Sequence, residues 1–503
     1  MASLTALKSR LADLNALDSA LSILDWDQQV LMPPKAVEAR AAHSSALGRM
    51  RHELLTSDET LRLIESSKSE VDTASVDGAL LRVVSRMADL ATKIPAALVA
   101  EKYKLASEGH EAWVEARKAN DFPKFAPILE RMFEIAREEA NYLGYKEHIY
   151  DALLDQFEEG ATKADCDRMF GEVRHRMFGE VRQPLVDLVR EIKEAGHDFD
   201  DHFLNGDWDE AKQRSFTERL VAAIGFDMAR GRQDTAPHPF CTNFSISDVR
   251  LTTRFKSYLP SAIFGSLHEA GHGMYEQGSP MEWDRTYLAG GVSLGLHESQ
   301  SRLWENIVGR SFAFWRYFLH ELQAIFPPIA AFGAEQFYRM INRVEPSLIR
   351  VEADEVTYNL HILIRFEIEC AILTGELAVK DLPEAWNAKY QSYLGILPPT
   401  DSDGCLQDVH WSMGAIGYFP TYSMGNLLSY QIWSALKKDI PNPDDLMARG
   451  EFGPIHEWLR TKIYAQGKRF PPKDLVLSVT GKPMGGVDYI EGIGAKYRSL
   501  YGI

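Results

Sequence analysis

Apolar positions recur along this chain mostly with the 3.6-residue period of helices. From residue 2 to about 226 this pattern predicts a run of helices, among them 80–118, 125–143 and 164–194, punctuated by turn clusters at Met32-Pro33-Pro34 and Asn120-Asp121-Phe122-Pro123. Residues 234–259 break the pattern. There Val249, Leu251 and Phe255 alternate, or nearly so, with Arg250, Thr252 and Arg254, which is the period of a short strand. Helical spacing resumes over 260–278 and 293–309, then over 312–322, 354–374, 422–438 and 455–465, with loops at Leu397-Pro398-Pro399 and around Pro483-Met484-Gly485-Gly486. The expected fold is mainly α, with a small β-sheet beside the helix at 260–278. The heptapeptide RMFGEVR at 168–174 returns at 176–182, but one short repeat does not make a solenoid.

Composition narrows the class. A chain of 503 residues is long enough for about three domains, yet it is 45% apolar and no low-complexity linker interrupts it, so one large body with subdivisions fits equally well. The formal charge of −17 disfavours nucleic acid and anionic membranes as partners. Cys166, Cys241, Cys370 and Cys405 are far apart and form no CxxC pair, so they read as buried free thiols. The first residues lack an apolar signal core, and no uncharged apolar run reaches 18 residues. The expectation is a soluble, cytoplasmic protein with no membrane association.

The sharpest chemical signal is His268-Glu269-Ala270-Gly271-His272, an HExxH motif within 260–278. On a helix, His268 and His272 lie one turn apart on one face, where two imidazoles can share a divalent ion. Glu269 projects about 100° around the axis, beside the ion, where a carboxylate can take a proton from an activated water. Ile263, Leu267, Ala270 and Met274 form a separate apolar stripe, so the helix can pack and ligate at once. Glu276 stands one turn beyond His272 on a nearly straight line and cannot converge on the same ion. A third ligand should come from the segment 293–309, where Glu298 and His297 both qualify. Glu298 shares a face with Arg302 and Glu305, while a three-histidine site is also chemically sound.

Taken together, several segments resemble the M32 family of metallocarboxypeptidases: His238-Pro239-Phe240, Asp248-Val249-Arg250-Leu251-Thr252, the HExxH run, His297-Glu298-Ser299-Gln300, Ile349-Arg350-Val351-Glu352-Ala353-Asp354, Gly404-Cys405-Leu406-Gln407-Asp408-Val409-His410-Trp411 and Gly417-Tyr418-Phe419-Pro420-Thr421-Tyr422. The resemblance spans the whole chain. It implies a single catalytic domain over 1–503, a helical body with a deep central groove similar to neurolysin and angiotensin-converting enzyme, either undivided or split into two helical subdomains flanking the groove. It also implies metal ligands His268, His272 and Glu298 around one Zn²⁺ per chain. Co²⁺ or Mn²⁺ would suit the same donors.

The activity implied is removal of single residues from peptides with a free C-terminus, by a homodimer, with Glu269 as general base and then acid. His410 and Tyr422 resemble the family's oxyanion and substrate donors, and Tyr418 is a further candidate. Arg350 resembles the carboxylate-binding position, with Arg250 as a second contributor. His238 and Asp248 are expected to orient the site rather than touch substrate. Each role has a structural counterpart: Arg350 could pair with Glu352, Asp354 or Glu355, His410-Trp411 could be core packing, and Tyr422 could anchor a loop. Two other functions stay open, an oligopeptide endopeptidase with the same centre and a helical scaffold with structural zinc. The presence of Glu269 disfavours the scaffold, because a structural zinc site needs no base.

Overall fold

The computed structural model describes residues 2–170, 181–197 and 199–503. The body is helical from end to end, interrupted by one three-stranded sheet: β1 (Gly231–Thr235), β2 (Cys241–Ser245) and β3 (Asp248–Thr253). β3 is central, parallel to β1 with Gly231 opposite Val249, and antiparallel to β2 with Cys241 opposite Leu251. The alternation in sequence marks β3 correctly. Val249 and Leu251 turn inward and are fully buried, while Phe255 lies past the end of the strand. The mainly helical expectation and the small sheet therefore hold. Among the described residues no helix is long and apolar enough to cross a membrane.

Helix boundaries differ from the periodic reading where local backbone chemistry overrides it. The stretch 80–118 is two helices, Val76–Lys93 and Ala96–Ala119. Pro95 has no N–H to donate and forces Ile94 into an extended conformation. The stretch 354–374 becomes a helix only at Tyr358, because the Asp354 carboxylate accepts the Val356 and Thr357 N–H groups and the Thr357 hydroxyl, holding a turn. The RMFGEVR duplication falls largely outside the described residues. All four cysteines are free; Cys166, Cys370 and Cys405 are buried, while Cys241 is only half-buried.

Four helices carry the site: α1 (Leu259–Gln277), α2 (Leu294–Arg302), α3 (Tyr358–Thr374) and α4 (Pro420–Asp439). The inward stripe of α1, with Ile263, Leu267, Ala270 and Met274, joins Leu296, Leu303, Trp304 and the helix Phe312–Ile325 in one hydrophobic core. The inward face of α3 joins Trp386, Leu406, Trp411 and Phe419 in a second. α4 serves both, giving Met424 and Leu427 to the second core and Leu428 and Ile432 to the first. The site lies where these cores meet. A smaller cluster under the N-terminal helices, with Leu7, Leu11 and Val84, packs on Trp283 and Tyr287.

Candidate metal centre and substrate site

α2 is squeezed between α1 and α4, and two glycines permit it. A Cβ at Gly271 would lie 2.5 Å from the Gln300 carbonyl oxygen, and one at Gly425 would lie 2.4 Å from Glu298 Cγ. Both are closer than any side chain tolerates, so the helices approach to backbone contact there. Ser293 starts α2 by accepting the Leu296 N–H. Beyond Arg302 the chain does not continue as a regular α-helix, as the spacing predicts, but widens into a π-helix over Leu303–Gly309.

This packing brings His268, His272 and Glu298 together, with one ligand-capable atom of each within 4.8 Å of the others. Glu298 Oε2 is 3.6 Å from His268 Nε2 and 3.4 Å from His272 Nε2. Donors about 2.0–2.1 Å from a tetrahedral ion stand roughly 3.4 Å apart, so the set fits a divalent cation. The donors' other atoms are already occupied. His268 Nδ1 meets Glu305 Oε2 at 2.9 Å, His272 Nδ1 meets His297 Nδ1 at 2.6 Å, and Glu298 Oε1 accepts from Arg302 Nε at 2.7 Å. The inward-facing atoms are left toward a ligand, with Glu298 Oε2 also accepting from the Ser301 hydroxyl at 3.2 Å. His297 and Glu276 sit behind His272, bonded to each other at 2.6 Å, and neither belongs to the convergent set.

The charge distribution is that of a cation site. Burial alone would raise the Glu298 carboxyl, but Arg302 and His268 outweigh it and hold the group far below the usual carboxylate range. Glu305 is held at about 2, burial again being outweighed, here by Arg302 and His268. Glu269 behaves differently. Burial, helped by Glu298 and Glu305 and opposed by His268, pushes it up to about 7. No protein hydrogen bond among the described residues engages its carboxylate, which leaves it available to a small molecule in the site.

Across from this cluster, a second set gathers around Asp408. Arg350 Nε and Arg365 Nε donate to its two oxygens at 2.9 and 2.7 Å, and all three side chains are buried. Arg350 also donates to the Tyr358 hydroxyl at 3.0 Å, and its guanidinium lies 5.2 Å over the Tyr422 ring. Its partner is thus Asp408 and none of the nearby acids Glu352, Asp354 and Glu355. His410 Nε2 stands 3.4 Å from the Tyr422 hydroxyl, and the Tyr418 and Tyr422 rings meet edge to face at 5.2 Å. Burial, reinforced by Arg350 and Arg365, lowers His410 to about 4, so its imidazole is neutral near pH 7. Burial raises both tyrosines, keeping their hydroxyl protons. Tyr358 joins the two sets, because Arg302 stacks on its ring at 4.6 Å.

The remaining candidates lie apart from the convergent donors. On β3, Arg250 Nε and Nη2 both donate to Asp248 at 2.9 Å, and the guanidinium is stacked on Trp26 and Phe244. His238 is exposed, and its ring makes no hydrogen bond among the described residues. The orienting contacts of the histidine pair come from Glu305 and His297. Sequence reasoning missed Glu369. Buried on α3, it accepts from Trp411 Nε1, the Tyr150 hydroxyl and the Gly417 N–H, and so ties the His410 turn to the loop before Tyr418. An acid amid the apolar residues of 358–374 was the available signal.

Comparison with known proteins points to one family. The model of the family described as "Carboxypeptidase Taq (M32) metallopeptidase" matches residues 6–497. The chain is 40% identical to thermostable carboxypeptidase 1 of Thermus thermophilus, over 95% of this chain and 94% of that protein. It is 39% identical to thermostable carboxypeptidase 1 of Pyrococcus furiosus, over 96% of each. The crystal structure of the M32 carboxypeptidase from Deinococcus radiodurans R1 superposes over 100% of both chains with a TM-score of 0.96 at 38% identity.

Proposed function

The chain belongs to the carboxypeptidase Taq (M32) metallopeptidase family, and on that premise we propose that it is a metal-dependent carboxypeptidase that removes single residues from the free C-terminus of peptides. One observation carries the reading: three outward-braced donors, His268 Nε2, His272 Nε2 and Glu298 Oε2, converge beside an unengaged buried carboxylate, Glu269. We assign the donors to one Zn²⁺ per chain, with Co²⁺ or Mn²⁺ as acceptable substitutes. The ion supplies Lewis acidity toward the scissile carbonyl and toward water.

The chain's own groups do the rest. Glu269, poised near neutrality, takes a proton from the attacking water and returns it to the nitrogen of the departing residue. The neutral His410 and the protonated Tyr422, side by side, offer donors to the oxyanion that develops on the carbonyl, with Tyr418 fixing the Tyr422 ring. Arg350, its charge held rigid by Asp408, receives the substrate's terminal carboxylate. Arg250 contributes from β3 at longer range. Asp248 acts by fixing Arg250, and His238, on the loop between β1 and β2, is kept as an orienting residue. Family resemblance further assigns a homodimer, a cytoplasmic setting and a groove-shaped body.

Dialysis against a chelator should abolish release of C-terminal residues, followed by liquid chromatography, and added Zn²⁺ should restore it. Activity that survives complete metal removal would overturn the reading.

A further inference from the structure

The geometry points to His297 and Glu276 as positioning residues that fix the His272 ring in the orientation and tautomer that turn its Nε2 lone pair toward Glu298. This rests on the reading of His272 as a metal ligand. Three groups lie in series: His272 Nδ1 is 2.6 Å from His297 Nδ1, and His297 Nε2 is 2.6 Å from Glu276 Oε1. Each contact needs one proton. Both Glu276 oxygens already accept, from the Gly291 N–H and from Asn243 Nδ2, so the His297 ring hydrogen lies on Nε2 and its Nδ1 is left to accept. The proton in the first contact therefore sits on His272 Nδ1. A neutral imidazole protonated there keeps its lone pair on Nε2, the atom that faces Glu298 Oε2 at 3.4 Å.

The surroundings enforce the sequence of donors. Glu276 also accepts from Asn243 Nδ2 at 2.7 Å and from the Gly291 N–H at 3.1 Å, so both oxygens are engaged as acceptors. It borders a polar cavity of about 220 Å³ whose walls include Lys468 and Asp18. The His297 ring cannot swing away: Tyr275 lies against it, centroids 5.2 Å apart, and a Cβ on Gly291 would fall 2.4 Å from its Cδ2. The i,i+4 step that keeps Glu276 off the donor cluster thus places it on His297. His268 has no such intermediary, because its Nδ1 meets the Glu305 carboxylate directly.

The test measures metal binding, with turnover left aside. Zn²⁺ affinity is determined for the metal-free full-length protein by competition with a chromophoric chelator, and the Co²⁺ form is followed by its visible absorption. His297→Phe, which keeps a ring but no nitrogen, should weaken Zn²⁺ binding about 10–100-fold and shift the Co²⁺ bands. Glu276→Gln, which keeps an acceptor oxygen, should weaken it less, and the double variant should be no worse than His297→Phe alone. Wild-type affinity and spectrum in both single variants, or strictly additive losses in the double, would overturn the inference. His272→Ala is the control for the premise: if it binds Zn²⁺ as tightly as wild type, the ligand reading itself fails and the relay with it.

Discussion

His268, His272 and Glu298 stand on two helices rooted in one hydrophobic core, and they are braced by Glu305, by His297 with Glu276 behind it, and by Arg302. Arg350, His410 and Tyr422 come from two short 3-10 segments and a helix start rooted in the other core, and they are organised with Arg365 around a single acid, Asp408. One wall is rich in acceptors and suits a cation. The other is rich in donors and suits a carboxylate and a developing oxyanion. On the proposed reading the terminal charge of a bound peptide is met by the donor wall and the cation by the acceptor wall, so the polarity of the site also sets the direction in which a substrate can lie.

The largest expected effect separates chemistry from assembly on the acceptor wall. Glu269→Gln should lower kcat by about 10²–10⁴ while metal content, measured by atomic emission, stays at the wild-type level. Next, Asp408→Asn should unmake the donor wall, because it strands two buried guanidinium groups. A loss of about 3–5 kcal/mol is expected by urea denaturation at pH 7. The pH dependence follows from the same contact. Burial would raise the Asp408 carboxyl, but Arg365 and Arg350 hold it well below its ordinary value. Its folded pKa is thus lower than its unfolded pKa of about 3.9, so its stabilisation is complete above about pH 4 and fades as pH falls below that. The gap between wild type and Asp408→Asn should therefore narrow in acid.

Arg350→Met should leave the acceptor wall untouched and cost about 2–5 kcal/mol in kcat/KM, for peptides ending in a free acid only. Full metal content in that variant would sharpen the division of labour; loss of metal would blur it. The smallest effect is expected at Arg250→Lys, which loses its two-pronged contact with Asp248 and its stacking on Trp26 and Phe244. A stability change of about 1 kcal/mol and a rise in KM of less than about tenfold are expected.

The two walls also differ in how far the sequence reveals them. HExxH is a local pattern, and one helical turn is enough to place His268 and His272 on a common face. The choice between His297 and Glu298 is harder, since both lie on α2 and are separated by one residue, or about 100°. It depends on how α2 packs between α1 and α4, which the glycines at 271 and 425 permit and which helical spacing does not encode. Glu305 illustrates another limit. Regular spacing puts it on the face of Glu298 and Arg302, and it does accept from Arg302, but spacing does not reveal that the same carboxylate meets His268 on another helix. The donor wall was the least legible from residue physics alone. Arg350 has three acids in the five positions that follow it and pairs with none of them. Its partner is Asp408, 58 residues away, brought near by tertiary packing. Resemblance of the Ile349–Asp354 and Gly404–Trp411 segments to a known family singled out residues there that periodicity could not.

The central claim is that the donor wall reads a free terminal carboxylate while the acceptor wall carries out hydrolysis. Mass spectrometry of the products from one peptide in its free-acid and C-terminally amidated forms tests it most directly. The account predicts a ladder of single-residue losses from the acid and almost none from the amide; equal cleavage of both, or cuts at internal bonds, would contradict it.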